Sequence, residues 1–244
     1  MYGKGLRALS IGTAVVLTGA AVLVFFYAPK EADQGIIQKI FYVHVPLAIV
    51  ALCGFVGGGL IAIKQLRSGE PKWDMRSYVA IHLSLVFAVG ALITGSIWAK
   101  ASWGHWWVWD EPVLVSFLIV FLLYCCYQPL RFSIEDPEKQ ARYASVFAIA
   151  AGAFVPINFM AVRLATAHIH PRVLSKTTDG SLPTEMFITF MVSLLGVALL
   201  FVTLWKVELT AKNASMKLKK LRRRLEAERP APAAAAEPEP VGAP

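Results

Sequence analysis

The stretch YVAIHLSLVFAVGALITGSIWA, residues 78–99, contains no charged side chain and ends at Lys100. A helix needs about 20 residues to cross the hydrocarbon core of a bilayer, so this stretch is long enough to span a membrane. The whole chain of 244 residues is 57% hydrophobic and 16% charged, with a mean hydropathy of +0.57. Water-soluble domains carry about 25% charged residues. The composition therefore excludes a soluble globular protein.

Uncharged runs of similar length recur on both sides of this stretch. The predicted spans are Leu9–Tyr27, Val45–Ile63, Tyr78–Ala99, Val113–Leu130, Tyr143–Val162 and Met186–Trp205. By the length rule, the sequence predicts an all-α, polytopic membrane helix bundle of about six transmembrane helices.

Lysine and arginine are distributed unevenly between alternate loops, and short loops rich in them stay in the cytoplasm. With a cytoplasmic N-terminus, the inner segments hold Lys4, Arg7, Lys64, Arg67, Lys72, Arg76, Arg131, Lys139, Arg142, Lys217, Lys219, Lys220 and Arg222–Arg224. The outer segments hold Lys30, Lys39, Lys100, Arg163, Arg172 and Lys176. We therefore expect both termini in the cytoplasm. The net charge of +8 then reflects loops and a tail beside anionic membrane lipid, and no nucleic-acid partner is expected.

Charge density divides the chain into two predicted parts. Residues 1–207 form a transmembrane domain, and residues 208–244 form a basic cytoplasmic tail. Within the tail, Met216–Arg229 is predicted to be a basic helix along or just below the inner leaflet. From Pro230 onward the composition of proline, alanine and glutamate predicts disorder.

Small residues and a proline predict local features of the spans. Gly54 and Gly57–Gly59 in the second span predict close helix packing. Pro156 and Asn158, near the outer end of the fifth span, predict a break in that helix.

The connection between the third and fourth spans is dense in tryptophan, with the sequence WGHWWVWD at residues 103–110. Its indoles are Trp103, Trp106, Trp107 and Trp109. An interfacial aromatic belt is the alternative interpretation, since tryptophan is common at the headgroup level. Asp110 and Glu111 beside the rings favour a binding site, because acids at a membrane boundary are costly unless they are used.

Rigid indoles suit a flat, apolar ligand with a polar edge, and a porphyrin with its propionates has that character. Porphyrin iron takes axial nitrogen ligands, most often imidazole. The histidines of the chain are His44, His82, His105, His168 and His170. The charge-based topology places all of them except His82 on the outer face with the tryptophans. Lys100, Arg163 and Arg172 are candidates to meet the propionates, although lipid phosphate would suit them equally.

The segment TGSIWAK at 94–100, followed by WGHWWVWD at 103–110, resembles the tryptophan-rich signature of the haem-handling proteins of cytochrome c maturation. The size of the chain, its predicted spans and the segment YVHVP at 42–46 make it most similar to the CcmC family, from about residue 36 to about residue 205. The resemblance implies a haem site on the outer face of the bacterial inner membrane, where the tryptophan segment, including Gly104 and Asp110, and two axial histidines hold haem b. It also implies delivery to the haem chaperone CcmE, with the ABC transporter subunits CcmA and CcmB and the small subunit CcmD as partners.

The resemblance assigns the ligands residue by residue. His44 matches the first family histidine. The second belongs to a His-Pro pair after Val-Arg, which here gives His170-Pro171 after Val162-Arg163. His170 is one residue further from the arginine than the family pattern has it, so His168 is an alternative ligand.

Two departures from the family pattern affect the site. Many relatives follow Trp-Asp with Pro-Arg-Leu-Thr, whereas this chain has PVLV at residues 112–115, with Val113 in place of the arginine. A cation and a hydroxyl are therefore absent. His105 occupies a place that is usually threonine, where it can compete for iron.

The expected function is binding and presentation of haem, and we do not expect an enzyme. In this interpretation His44 and His170 ligate iron, the indoles form a platform, and Asp110 orients the loop or a partner. One alternative is a membrane electron carrier with bis-histidine haem b, whose ligands would normally lie within facing helices. The other is a small-solute permease, which would be expected to have broken helices or polar residues at the midplane.

Overall fold

The computed structural model describes residues 5–164, 170 and 182–228, and this part of the chain is almost entirely helical. The elements are α1 (Leu6–Val22, continued by a π-helical turn over Leu23–Tyr27), a 3₁₀ helix (Ile37–Ile40), α2 (Phe41–Ser68), α3 (Pro71–Trp103), α4 (Pro112–Cys125), α5 (Tyr127–Phe132), α6 (Pro137–Leu164) and α7 (Thr184–Glu228). The described residues form no β-strand beyond one isolated bridge between Glu31 and Gly35.

Six helical segments are long and apolar enough to cross a membrane, which confirms the predicted fold class. They are Leu6–Tyr27, Ile37–Ser68, Pro71–Trp103, Pro112–Phe132, Pro137–Leu164 and Thr184–Ala227. Most extend a turn or more beyond the uncharged run on which the prediction rested, because charged residues at helix ends can reach the headgroups.

Two local predictions need correction. The fifth span is unbroken, since α6 continues through Pro156 to Leu164. Neighbouring helices can satisfy the backbone group that a proline frees. The tryptophan-rich connection starts one residue later than predicted, because Trp103 is the last residue of α3.

The basic segment predicted to be a helix over Met216–Arg229 is helical up to Glu228, as the last part of α7.

The described residues group into two compact units, divided between Leu209 and Thr210. In the first unit, α2 packs against both α3 and α6. The predicted disorder from Pro230 onward concerns residues outside those that the structure describes.

Glycines allow the close approach of α2 to its two neighbours. A Cβ atom on Gly58 would lie 2.6 Å from the Ile81 side chain of α3, and one on Gly59 would lie 2.8 Å from the Ala148 carbonyl oxygen of α6. Gly54 is tighter still, because its Cβ would lie 2.1 Å from Ser84 Oγ. The packing prediction is therefore confirmed for these three, whereas a Cβ on Gly57 would meet nothing within 4 Å.

An aromatic stack joins α2 to α4 at the centre of the bundle. The rings of Phe55 and Tyr124 lie 3.8 Å apart with an interplanar angle of 13°, and both residues are fully buried. The Tyr124 hydroxyl donates to the Phe55 carbonyl oxygen at 3.3 Å. This contact joins α2 and α4, two of the helices that line the site described next.

Candidate functional site

A cavity of about 240 Å³ lies among α2, α3, α4 and α6. Buried aliphatic side chains such as Val120 and Val155 form part of its wall. Ligand cavities in proteins commonly measure roughly 300–1,000 Å³. This cavity is slightly smaller than that range, so a larger ligand would extend beyond it.

The cavity brings together most of the site residues predicted from the sequence. Its lining includes His44, Trp103, Trp106, Trp107, Arg163 and His170. Residues from four separate stretches of chain thus meet at one place.

The remaining predicted residues lie elsewhere. Gly104, Trp109 and Asp110 are exposed in the connection between α3 and α4, and they are not part of the cavity lining. Trp109 is 73% exposed, against 60% for Trp106. His168 lies outside the described residues.

Two further candidates named from the sequence have other positions. His105 is exposed in the connection and does not line the cavity. Lys100 donates from Nζ to the Gly104 carbonyl oxygen at 2.8 Å, which satisfies a backbone group at the end of α3.

His44 lies near the start of α2, and α3 fixes the orientation of its ring. Its Nδ1 is 3.0 Å from the Ala91 carbonyl oxygen and 3.2 Å from Thr94 Oγ1. A carbonyl oxygen can only accept a hydrogen bond, so Nδ1 carries the proton. The other ring nitrogen, Nε2, then keeps a lone pair, which is the tautomer that a metal-ligating histidine uses.

Gly95 provides the space for the His44 ring. A Cβ atom at this position would lie 2.7 Å from His44 Cε1 and 3.2 Å from Nδ1. Any larger residue would therefore displace the imidazole. The sequence motif contains Gly95, but its spacing alone does not show that the residue faces a histidine on another helix.

Trp98 and Gln34 extend the site on the same side. The Trp98 ring meets His44 edge to face, with centroids 5.9 Å apart. Its Nε1 donates to Gln34 Oε1 at 2.8 Å, which ties the segment before α2 to α3. Both residues line the cavity, and neither was predicted as a site residue.

Glu111 links the start of α4 to His170. Its side chain is fully buried at the N-terminus of α4, and its Oε2 accepts a hydrogen bond from the His170 backbone N–H at 3.2 Å. The His170 ring in turn meets Trp103 edge to face at 6.1 Å. Glu111 therefore holds the backbone of His170. From the sequence, Glu111 is recognised only as an acid beside the indole rings.

Two residues with polar hydrogen-bonding groups, Trp107 and Arg163, also line the cavity. The indole N–H of Trp107 is buried and has no hydrogen-bond partner among the described residues. The Arg163 guanidinium lies 5.4 Å from the centre of the Phe159 ring, and both residues line the cavity. An apolar cavity with two imidazoles, a buried N–H donor and a cation can hold a flat apolar molecule that carries a metal and an anionic edge.

The sequence matches the CcmC family, described as heme exporter protein C, over residues 1–225. One relative, heme exporter protein C of Rhodobacter capsulatus, is 29% identical over 223 residues, which cover 91% of this chain and 92% of the relative. The protein of the same name from Bradyrhizobium diazoefficiens is 31% identical over 192 residues, or 78% of this chain and 72% of the relative. That of Escherichia coli is 32% identical over 149 residues, or 61% and 60%. Because the family match covers nearly the whole chain, this multi-pass membrane protein belongs to the CcmC family of heme exporter C proteins.

Proposed function

We propose that this protein binds haem in the cavity and presents it for cytochrome c maturation. The observation that carries the proposal is the meeting of His44 and His170 with four indoles in one apolar cavity. Relatives of the chain are named heme exporter protein C, which supports haem as the cargo.

We assign the axial ligands to His44 and His170. The hydrogen bond from His44 Nδ1 to Ala91 supports the first assignment, because it leaves Nε2 with a lone pair inside the cavity wall. The contact of the His170 ring with Trp103 and the bond of its backbone to Glu111 support the second. His168 is the alternative second ligand.

The polar edge of the haem would meet Arg163 and the Trp107 N–H. A guanidinium pairs well with a carboxylate, and a buried indole N–H gains from any acceptor. Val113, which stands where many relatives have arginine, also lines the cavity. In this proposal Arg163 supplies the positive charge that the uncharged Val113 cannot supply.

Presentation of haem to a partner needs an accessible edge. Trp106 and Trp109 are both largely exposed. Gly104 precedes them and Asp110 follows them in the same connection, and both of these residues are exposed as well. We infer that these residues form the open edge, where the haem chaperone CcmE would receive haem b, with CcmA, CcmB and CcmD as the other partners. In this proposal residues 1–207 handle haem, both termini are cytoplasmic, and the site lies on the outer face of the bacterial inner membrane.

A membrane electron carrier with bis-histidine haem b is a second candidate, and one observation favours it. His44 lies within α2 and packs against α3, as an electron carrier would place a ligand. The carrier candidate predicts reversible redox cycling with a quinone. Haem presentation predicts transfer of haem to the apo-form of the chaperone. A small-solute permease would instead show solute uptake without a Soret band.

The test is an absorption spectrum of the purified protein with and without added haem. We expect a Soret band that shifts or weakens in His44→Ala and in His170→Ala. His82→Ala is the matched control, because His82 stacks on Tyr78 within α3 and does not line the cavity. Equal loss in all three variants would indicate general destabilisation and would contradict the assignment.

A further inference from the structure

The end of α7, residues 210–228, is a basic helix that carries a narrow apolar stripe. Apolar residues recur there at alternating intervals of three and four, at Ala211, Ala214, Leu218, Leu221 and Leu225. This is the a and d spacing of a coiled-coil heptad, and on a helix it places all five residues on one side. We call these five residues the leucine seam.

The leucine seam is exposed along its length. Leu218, Leu221 and Leu225 are 68%, 54% and 57% exposed, and both alanines are exposed as well. A contiguous apolar surface marks an interaction site, whereas single exposed leucines are ordinary. Leucines at spacings of i, i+3 and i+7 are the anchors with which an amphipathic helix binds a partner.

The width of the leucine seam favours a helical partner over a lipid surface. At 3.6 residues per turn, the seam covers about 80° of the helix circumference. A helix that lies in a bilayer interface presents a large apolar face, usually with tryptophan or phenylalanine. The seam contains no aromatic residue. A strict a and d stripe is instead typical of the seam between paired helices.

The charges beside the leucine seam indicate the chemistry of the partner. Residues 210–228 contain seven lysine and arginine side chains and two glutamates. The charged residues at the e and g positions of the heptad, which flank the seam, are Lys217, Arg222 and Arg224. Among the described residues, Lys217 and Arg224 form no ion pair, and Arg222 pairs with Glu226 at the exposed helix surface. Such surface pairs contribute little, so the flanks remain positive.

A second copy of the same helix is disfavoured as the partner. Pairing two copies would set the positive flanks of one helix against those of the other, and like charges at these positions destabilise a coiled coil. Acids at the flanking positions of a different helix would form ion pairs with the same residues. Charge therefore selects an acidic partner and rejects self-association.

We propose that the leucine seam docks an amphipathic helix of a partner protein. The partner helix has its own aliphatic stripe against the seam, and glutamate or aspartate at the positions that flank the stripe. The seam belongs to the second compact unit, and the residues that line the cavity belong to the first. The inference therefore does not depend on the proposed function.

The test uses the full-length chain in nanodiscs of phosphatidylcholine. The probe is a synthetic peptide of several heptads, with leucine at a and d and glutamate at e and g. A matched peptide has lysine at e and g. Fluorescence anisotropy of the labelled peptides measures affinity, and hydrogen exchange measures the protection of residues 210–228. Exchange without peptide in nanodiscs that contain phosphatidylglycerol tests whether lipid covers the seam.

Two pairs of variants separate the leucine seam from the rest of the helix. The double variant Leu218→Gln, Leu221→Gln removes two anchors, and its control is Met216→Gln, because Met216 is 47% exposed on the opposite side of the helix. Arg224→Gln removes a flanking charge, and Lys220→Gln removes a charge from the opposite side. Circular dichroism would verify that each variant keeps its helix content.

We expect the acidic peptide to bind and to protect residues 210–228, whereas the lysine peptide should do neither. The double leucine variant should weaken binding about tenfold or more, as loss of interface anchors predicts, and Met216→Gln should bind like wild type. Arg224→Gln should weaken binding about twofold, and Lys220→Gln less.

Equal binding of the two peptides would overturn the proposal. Equal binding by wild type and the folded double leucine variant would do the same. Protection of residues 210–228 by phosphatidylglycerol without peptide would also overturn it, because the seam would then belong to the membrane surface.

Discussion

The two ends of α3 differ in whether the polar groups near them are paired within the protein. At its first turns, Asp74 pairs with Arg131, and the side chains are only 15% and 8% exposed. At its last turns, Thr94 and Gly95 position His44, whose Nε2 carries no proton, and the cavity there is also lined by Trp107, whose N–H has no hydrogen-bond partner among the described residues. The first end satisfies its polar groups internally, which stabilises the bundle. The second places residues with available polar groups in the lining of a cavity, which is what a binding site needs.

The largest effect on stability is expected where the first end is broken. Asp74→Ala leaves the Arg131 guanidinium buried without its carboxylate, which should cost about 3–5 kcal/mol of unfolding free energy. Denaturant titration in detergent measures this. In a double-mutant cycle, adding Arg131→Met should recover part of the loss. A loss of less than about 1 kcal/mol would mean that the pair behaves as an exposed ion pair.

The second end should respond in haem affinity more than in stability. Gly95→Ala places a methyl group where the His44 ring lies, so we expect haem affinity to fall about 10- to 100-fold, as when the groups that orient a metal ligand are lost. Haem titration monitored at the Soret band measures the change.

The matched control for Gly95→Ala lies one turn earlier in α3. A Cβ atom on Gly90 would lie 3.3 Å from a Leu47 methyl group and would not meet His44. Gly90→Ala should therefore leave haem affinity close to wild type. Equal loss in the two variants would show that helix spacing, and not the imidazole, is affected.

A smaller effect is expected at Glu111, which holds the backbone of His170. Glu111→Ala removes a buried hydrogen-bond acceptor and should lower the free energy of unfolding by about 1–3 kcal/mol. Glu111→Gln keeps an acceptor oxygen in the same place, so it should restore most of the haem affinity. Electron paramagnetic resonance of the ferric protein would report whether the second axial ligand is lost in Glu111→Ala. An unchanged spectrum there would contradict the positioning role.

The smallest effect is expected from a change of a single N–H group. Trp107→Phe removes the buried indole donor and should weaken haem retention severalfold, because a typical hydrogen bond contributes about 0.5–1.5 kcal/mol. Trp109→Phe, in a side chain that is mostly exposed, should change retention less than about twofold. Haem retained after gel filtration measures both. A larger effect from Trp109 would place the platform outside the cavity.

The sequence predicted the spans well because a bilayer imposes a length and an apolar composition on each helix. It failed at Pro156 and Asn158, which predicted a break, whereas α6 continues to Leu164. It also indicated six of the residues that line the cavity, because imidazole, indole and guanidinium have chemistry that can be recognised one residue at a time. The supporting residues Gly95, Trp98, Gln34 and Glu111 were not identified as such, since their roles depend on contacts with distant segments.

The sequence by itself determined that the chain crosses a membrane as a helix bundle, and that indoles and imidazoles follow several of its spans. Only the tertiary structure decided which of them share a cavity. Close approach at Gly54, Gly58 and Gly59 brings α2 against α3 and α6, and the cavity among these helices is lined by His44, Trp103 and Arg163 but not by His105. The physical reason is that hydropathy is a property of each segment, whereas the distance between two side chains depends on how closely separate helices pack.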